Sequence, residues 1–338
     1  MASNFFSIDL SEQYTRLAHL ETKKNKIELL SLGYDATMPN FYTNPDEKSA
    51  QEEAKLITTL HRQLNISSTR AHVVVPDTLT YSQLLLMPEL SEEELVKAIR
   101  LQADELVPLP ISEVYLDLEI ISKLPNGKLL ILFVASQKKI VDHIYKTIEY
   151  ANLEPISLEN ELTAIGRFLT EFFKFIKEPS ILLNFGYSGS TIYVINPAFP
   201  FFQVTRTLRI GFDVIFRDLK LNTNLSDQKA LEALKTIGLN ASGSVNVYSV
   251  IYPVLNELFS EVEKTILLTQ EKYHLPIRNI YLFNYDNQIA NIHETVQKRL
   301  SLPTQSFPLS NILVPNTITQ TFSQVLSTFI PVIATHIR

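Results

Sequence analysis

A chain of 338 residues with 45% apolar and 20% charged side chains can build more than one core, and it carries no like-charge or low-complexity block of the kind that keeps a chain unfolded. A formal charge of −6 argues against nonspecific binding to nucleic acid or to an anionic membrane, and the absence of cysteine excludes disulfides and thiolate metal sites. The N-terminus lacks the basic and apolar regions of a secretory signal, and the apolar tail 325–337 is short and interrupted by Ser327, Thr328 and Pro331, so a cytoplasmic protein with no direct membrane insertion is expected.

Three β-rich runs, 5–10, 14–21 and 27–34, predict a meander whose last turn holds Lys23, Lys24 and Lys26. A helix follows over 46–64, with Ala50, Ala54, Ile57, Leu60 and Leu64 at helical spacing and Glu47, Glu52, Lys55 and Arg62 outward. His61 lies beside that stripe, where a packing role is expected. Residues 71–76 form a buried strand stopped by Pro76. Ser91 and Glu94 then make a capping box, opening a helix to about 106 with Leu95, Ile99, Ala103 and Leu106 on one face. Val107-Pro-Leu-Pro110 ends it. Residues 114–120 alternate apolar and polar, Pro125-Asn-Gly127 turns the chain, 129–135 is a wholly apolar strand, and 138–151 is helical. This block, 87–152, reads as a subdomain of its own.

A strand at 155–158 and a helix over 160–173 close the first half, with Glu161 on the helix's positive end. Beyond the next hairpin, 201–210 is a strand that leads through Gly211 into a helix. Two helices are expected between 226 and 272, joined by a small-residue loop at 240–244. A strand follows at 279–285, then a helix through 295 and a helical tail from 320 to 331.

One hairpin organises the whole. Ser180-Ile-Leu-Leu-Asn-Phe-Gly-Tyr-Ser-Gly-Ser-Thr-Ile-Tyr-Val-Ile195 reads as strand, tight turn, strand, and two glycines let successive backbone amides face one concavity that suits a phosphate. The same plan recurs at 5–18. Setting Asp9 against Asn184 matches Leu10 with Phe185, Ser11 with Gly186 and Gln13 with Ser188. A duplicated hairpin opening each half of the chain suggests two similar lobes. The alternative reading of both hairpins is a plain tight turn between core strands.

Several stretches carry a family resemblance. ELSEEELVKAIRLQADELVPLPISEVYLDLEII (89–121) resembles the signature of the type IV pilus assembly protein PilM family. IVDHIYKTIEYANLEPISLENELTAIGRFL (140–169) and FFQVTRTLRIGFDVIFRDL (201–219) resemble its following segments. Together with the two hairpins the match runs in order along nearly the whole chain. The resemblance implies an α/β, actin-like ATPase (ribonuclease H-like) two-lobed fold with an inserted FtsA-like subdomain. The division it implies is 1–86 and 153–179 for the first lobe, 87–152 for the insertion, 180–320 for the second lobe and 321–338 for a helix returning to the first.

The resemblance also implies a nucleotide site, with candidate cofactor-binding residues Asp9, Ser11, Gln13 and Arg16 in the first hairpin and Asn184, Gly186, Ser188 and Gly189 in the second. Asp9 is the candidate magnesium ligand, held through water. ATP and magnesium rest on the family resemblance alone, because the site departs from the family pattern. Ser11 and Glu12 stand where the family has glycine and serine, and Arg16 where it has lysine. A Glu12 carboxylate facing a phosphate at 4 Å would cost about 4 kcal/mol per unit charge. Asn184 replaces an aspartate, and Phe283-Asn-Tyr-Asp-Asn287 stands where the family has a glycine-rich turn against the adenosine. No catalytic residue is assigned.

The expected function is a cytoplasmic scaffold, peripheral to the inner membrane, that docks the cytoplasmic tail of a PilN-like membrane protein among other pilus platform proteins and binds no nucleic acid. The junction beside the 87–152 subdomain, near Leu84-Leu85-Leu86-Met87, is the expected docking groove; a buried strand is the plainer reading of that run. The alternatives are an ATP-hydrolysing enzyme or small-molecule kinase of the same superfamily, and an FtsA-like division protein. The seven histidines show no Ser-His-Asp order and no metal spacing.

Overall fold

The computed structural model describes residues 4–174, 176–199, 201–240 and 246–337. The chain divides into two compact units. The first comprises Met1–Phe172, Leu313–Ile318 and Pro331–Arg338, and the second Phe173–Ile312 and Thr319–Ile330.

The first unit opens with β1 (Phe6–Leu10), β2 (Tyr14–Lys23) and β3 (Lys26–Ala36), an antiparallel meander. α1 (Glu47–Gln63) starts at a capping box between Asp46 and Ser49 and buries Ala50, Ala54, Ile57 and Leu60. β4 (Arg70–Val75) adds parallel to β1. β5 (Thr80–Met87), α2 (Glu92–Leu106), β6 (Val114–Lys123) and β7 (Leu129–Gln137) follow, then α3 (Lys138–Tyr150), β8 (Glu154–Asn160) and α4 (Glu161–Phe172). β8 lies parallel to β4, completing a five-stranded sheet in the order β3-β2-β1-β4-β8. Phe6, Ile8 and Leu10 of β1 share one core with Ile57 and Leu60 of α1 and Ile140, Ile144 and Ile148 of α3.

A second, three-stranded sheet, β5-β7-β6, is inserted between the parallel neighbours β4 and β8. Its apolar central strand, β7, packs Ile131 and Phe133 with Leu95 and Ile99 of α2 in a core of its own. α2 begins where expected: Ser91 accepts from the Glu94 amide, and the Glu94 carboxylate accepts from Ser91 N–H at 2.9 Å. Ala103, expected on the same face, lies outside the described side chains. The limits expected from sequence, 87–152, shift at both ends. β5 pairs with β7 from Thr80, while the α3 isoleucines fill the five-stranded sheet's core, so the inserted piece spans 80–137.

The second unit repeats the plan. β9 (Ser180–Phe185), β10 (Ser190–Ile195) and β11 (Phe202–Leu208) form an antiparallel meander, followed by α5 (Phe212–Thr223), α6 (Asp227–Thr236) and α7 (Val247–Tyr273). β12 (Asn279–Asn284) lies parallel to β9, and after α8 (Ile292–Leu300), β13 (Thr304–Ser306) lies parallel to β12. The order β11-β10-β9-β12-β13 is that of the first sheet, so the hairpin duplication extends to the topology. Of the loop expected at 240–244, residues 241–244 lie outside the described residues.

The C-terminal stretch departs from expectation. Residues 313–316 run along β3, with Val314 N–H donating to Ile27 O at 2.8 Å. α9 (Thr317–Thr321) is short, and α10 (Ile330–His336) begins one residue before Pro331 instead of the helix ending there. Proline fits that first turn, where its missing N–H would be unsatisfied anyway. The expected single returning segment, 321–338, is therefore divided: Thr319–Ile330 belongs to the second unit and Pro331 onward to the first. Ser7 of β1 holds α10 by donating to Val332 O at 2.7 Å. No helix among the described residues is long and apolar enough to cross a membrane.

Candidate functional site

In the first hairpin the register sets Asp9 directly opposite Arg16. Nη1 of Arg16 lies 2.9 Å from Asp9 Oδ2, with the two side chains only 3% and 2% exposed. The same nitrogen donates to Ser11 Oγ at 2.8 Å, and Ser11 Oγ donates to Tyr14 O. Ser11 O accepts from Thr37 Oγ1, and Gln13 O accepts from Thr37 N–H. Glu12 accepts from Thr78 Oγ1 at 2.7 Å. Burial lifts the Asp9 carboxyl to about 6, against the lowering effect of Arg16 and with a smaller upward push from Glu12.

More acid surrounds this pair. Asp77 N–H donates to Glu161 Oε2 at 3.1 Å, and Leu162 N–H donates to Asp77 Oδ1 at 3.0 Å. Burial raises Glu161 well above the carboxylate range, and Asp77, Asp9 and Glu12 add to the rise. Behind the hairpin, Glu53 of α1 is fully buried and accepts from Thr15 Oγ1 and from Met38 N–H. Sequence reasoning passed over Glu53. Its place at the i+3 position from Ala50 and one before Ala54, inside the apolar stripe, was the available signal.

In the second hairpin the turn closes on itself and on α5. A Cβ at Gly186 would sit 2.6 Å from Gly189 O, and one at Gly211 would sit 2.2 Å from Tyr187 O. Only glycine permits that approach. The first amides of α5 are consumed there: Phe212 N–H donates to Gly186 O at 2.9 Å and Asp213 N–H to Tyr187 O at 3.0 Å. Ser188 lies in this turn and Ser190, just beyond it, donates to Ile210 O. Asn184 accepts from Asn284 Nδ2 at 3.0 Å. After Asn284, which adopts φ 79°, the Tyr285 ring stacks on Phe212 at 5.0 Å and lies 5.8 Å from Tyr187.

A cavity of about 570 Å³ lies within the first unit, between the inserted sheet and β8 with α4. Five consecutive residues of β6, Tyr115 to Glu119, and four of β8, Ser157 to Asn160, line it. A strand showing a face offers alternate residues, so consecutive lining marks two strand edges. Both strands are terminal in their sheets. β7 contributes alternate residues, Leu132, Val134 and Ser136, as a face does. Arg167 of α4, also in the lining, makes a bidentate pair with Glu159 at 2.7 and 2.8 Å and donates through Nε to Ile337 O. Leu84 to Met87 are not part of this lining; only Thr80 of β5 is.

A family model described as type IV pilus assembly protein PilM matches residues 7–321. The chain belongs to that family. Among solved structures, it is similar to the PilM-PilN type IV pilus biogenesis complex, at TM-score 0.82 and 16% identity over 99% of this chain and 98% of that one. It is also similar to the ethanolamine utilization protein EutJ from Carboxydothermus hydrogenoformans, at TM-score 0.54 and 11% identity over 98% and 89%. No curated protein matches the sequence. The fold is the actin-like ATPase fold, and the protein is an actin-like member of the type IV pilus assembly machinery.

Against the family pattern, the first hairpin fits magnesium-ATP poorly. Asp9 already holds a cation, Arg16, and Asp77 and Glu12 bring further negative charge to where phosphates would add more. In the second hairpin the α5 amides that would meet an anion serve backbone carbonyls. Among the described residues no group of three His, Asp or Glu side chains is set to hold a metal. The described residues include an Asp-His-Ser cluster: Asp286 Oδ2 lies 3.0 Å from His293 Nε2 and 2.6 Å from Ser306 Oγ, and Ser306 Oγ lies 3.0 Å from the same Nε2. A relay needs the acid and the serine on opposite ring nitrogens. This cluster is structural; with Ser327 donating to Asp286 Oδ1, it ties the C-terminal stretch to β12 and β13.

Proposed function

We propose that this protein is a scaffold of a type IV pilus assembly platform, holding the cytoplasmic tail of a PilN-like inner-membrane protein in the cavity between β6 and β8. The observation that carries this reading is the cavity itself: two strand edges and an apolar β7 face converge on one space of about 570 Å³, within the range that ligand sites occupy. The solved relative at TM-score 0.82 is a complex of PilM with PilN, which supports such a partner. Held by that tail, the protein is peripheral to the inner membrane and meets the other platform proteins there. In this reading the hairpins are structural turns, and the Asp9–Arg16 pair supplies internally the charge balance that a nucleotide would need.

The test is a thermal melt with the cytoplasmic tail of a PilN-like protein from the same organism. The tail raises the melting temperature of the wild type, and Val134→Trp, which fills the cavity from β7, abolishes the rise. No rise with that tail contradicts the reading. Millimolar Mg-ATP leaves the melt unchanged, whereas a ligand at a hundred times its Kd adds about 2.7 kcal/mol.

A further inference from the structure

The first hairpin makes a contact that a plain tight turn does not require: Glu12 accepts from Thr78, 66 positions along the chain. We propose that this contact is the latch of the inserted piece, gripping its entry linker, residues 76–79, so that the β5-β7-β6 sheet keeps one angle to the five-stranded sheet. The latch acts in the protein alone, whatever the cavity holds.

Topology brings its parts together. β1, β4 and β8 are parallel neighbours with β4 in the middle, so the turn after β1, the linker after β4 and the start of α4 after β8 all leave the same end of the sheet. From the β1 side, Glu12 accepts from Thr78 Oγ1 at 2.7 Å. From the β8 side, Glu161 Oε2 accepts from Asp77 N–H at 3.1 Å, and Leu162 N–H donates to Asp77 Oδ1 at 3.0 Å. The linker is thus held on both flanks.

The two chain connections of the inserted sheet lie side by side, because Thr80 at the start of β5 pairs with Ser136 at the end of β7. They differ in stiffness. β7 runs into α3 with no residue between them, and Ile140, Ile144 and Ile148 of α3 sit in the five-stranded sheet's core, so the exit is a fixed pivot. The entry is a short stretch between two strands, the kind of segment that absorbs a hinge rotation. Any turn of the inserted sheet about the pivot must be taken up there. Glu12 is a firm mount for a latch: Ser11 before it accepts from Arg16 Nη1, and Gln13 O after it accepts from Thr37 N–H, so its turn does not follow the linker. Its carboxylate also makes a stronger bond than a neutral acceptor would.

The chain has no cysteine, so Lys48→Cys on α1 and Asn126→Cys in the exposed turn between β6 and β7 take spin labels cleanly. Double electron–electron resonance on the full chain reads one narrow distance distribution between them. Glu12→Ala broadens it, and so does Thr78→Val, which keeps the shape of the side chain and removes the donor. The two together broaden it no further, because both remove the same bond. Glu12→Gln and Thr78→Ser, which keep an acceptor and a donor, leave it narrow. Hydrogen exchange at β5 amides becomes roughly tenfold faster in Glu12→Ala and in Thr78→Val, as loss of a charge-assisted bond implies, while amides of β4 and α1 keep their rates. An unchanged distribution in either broken variant, additive broadening, equal broadening by the conservative variants, or exchange that quickens evenly across the unit overturns the latch. None of these outcomes involves the PilN-like tail, so the docking reading stands or falls separately, in its own melt.

Discussion

Replacing Arg16 by methionine keeps most of the side chain's length and removes its charge, leaving Asp9 buried with no counter-ion. Removing one partner of a buried pair typically costs about 3–5 kcal/mol, because the surviving charge is neither hydrated nor neutralised. For a unit of fewer than 200 residues, that lowers the melting temperature by roughly 10 °C. The loss has a pH signature with a fixed sign. The folded-state value for Asp9, about 6, lies above the unfolded 3.8, so the folded state binds the proton more tightly and gains stability as pH falls through 6 toward 3.8. Without Arg16 the folded value rises further, so the variant recovers more than the wild type on acidification. The assay is urea unfolding at pH 7.5 and pH 5. The Asp9→Asn, Arg16→Met double variant should be markedly more stable than Arg16→Met at pH 7.5 and show little of its pH dependence. A single variant within about 0.5 kcal/mol of wild type at pH 7.5, or a double variant no better than the single, refutes the internal ion pair as the element that balances this hairpin.

Three more outcomes follow from the geometry. Gly211→Ala places a methyl group 2.2 Å from Tyr187 O and forces the hairpin off α5, so its soluble expression and melting temperature fall sharply, while the exposed control Leu221→Ala changes little. Tyr285→Ala removes the ring stacked on Phe212 and costs about 3–5 kcal/mol in denaturant unfolding. Burial lowers His336 to about 3, with His19 and His72 adding to the shift. Its contribution is complete above the unfolded value of 6.5 and fades as pH falls toward 3, so at pH 5 the wild type has lost about 2 kcal/mol relative to His336→Phe, read as the difference between their unfolding curves at pH 7.5 and 5.

The strands and helices were legible where a single period governed a segment. The α1 stripe, the Ser91–Glu94 box and the β6 alternation each name their own structure, and the repeated hairpin foreshadowed a repeated sheet order. What escaped were facts set by distant partners. The sequence shows Glu12 in a turn, but its bond runs to Thr78, 66 positions away, and nothing local to either residue announces it. Tyr285 was visible as a bulky residue in place of glycine, while its stacking on Phe212 depends on β12 lying beside β9. The inserted piece was placed too late in the chain because Thr80 to Met87 carries too little polar alternation to be read as a strand of that sheet. α3 was assigned to it because sequence adjacency does not reveal which core a helical stripe fills. Strand edges are likewise a property of topology, so the sequence places a groove at the junction of the inserted piece with the first lobe without showing that β6 and β8, and not the nearby run Leu84 to Met87, line the cavity there.

The direct trial is calorimetric titration of the PilN-like tail into the purified protein, with and without Mg-ATP. If the cavity binds while the hairpins only hold the fold, the tail's Kd changes less than twofold with nucleotide and ATP alone gives no heat of binding. A tail that binds only in the presence of Mg-ATP, or tenfold more tightly with it, would show instead that the two sites are energetically coupled and that the nucleotide site still works.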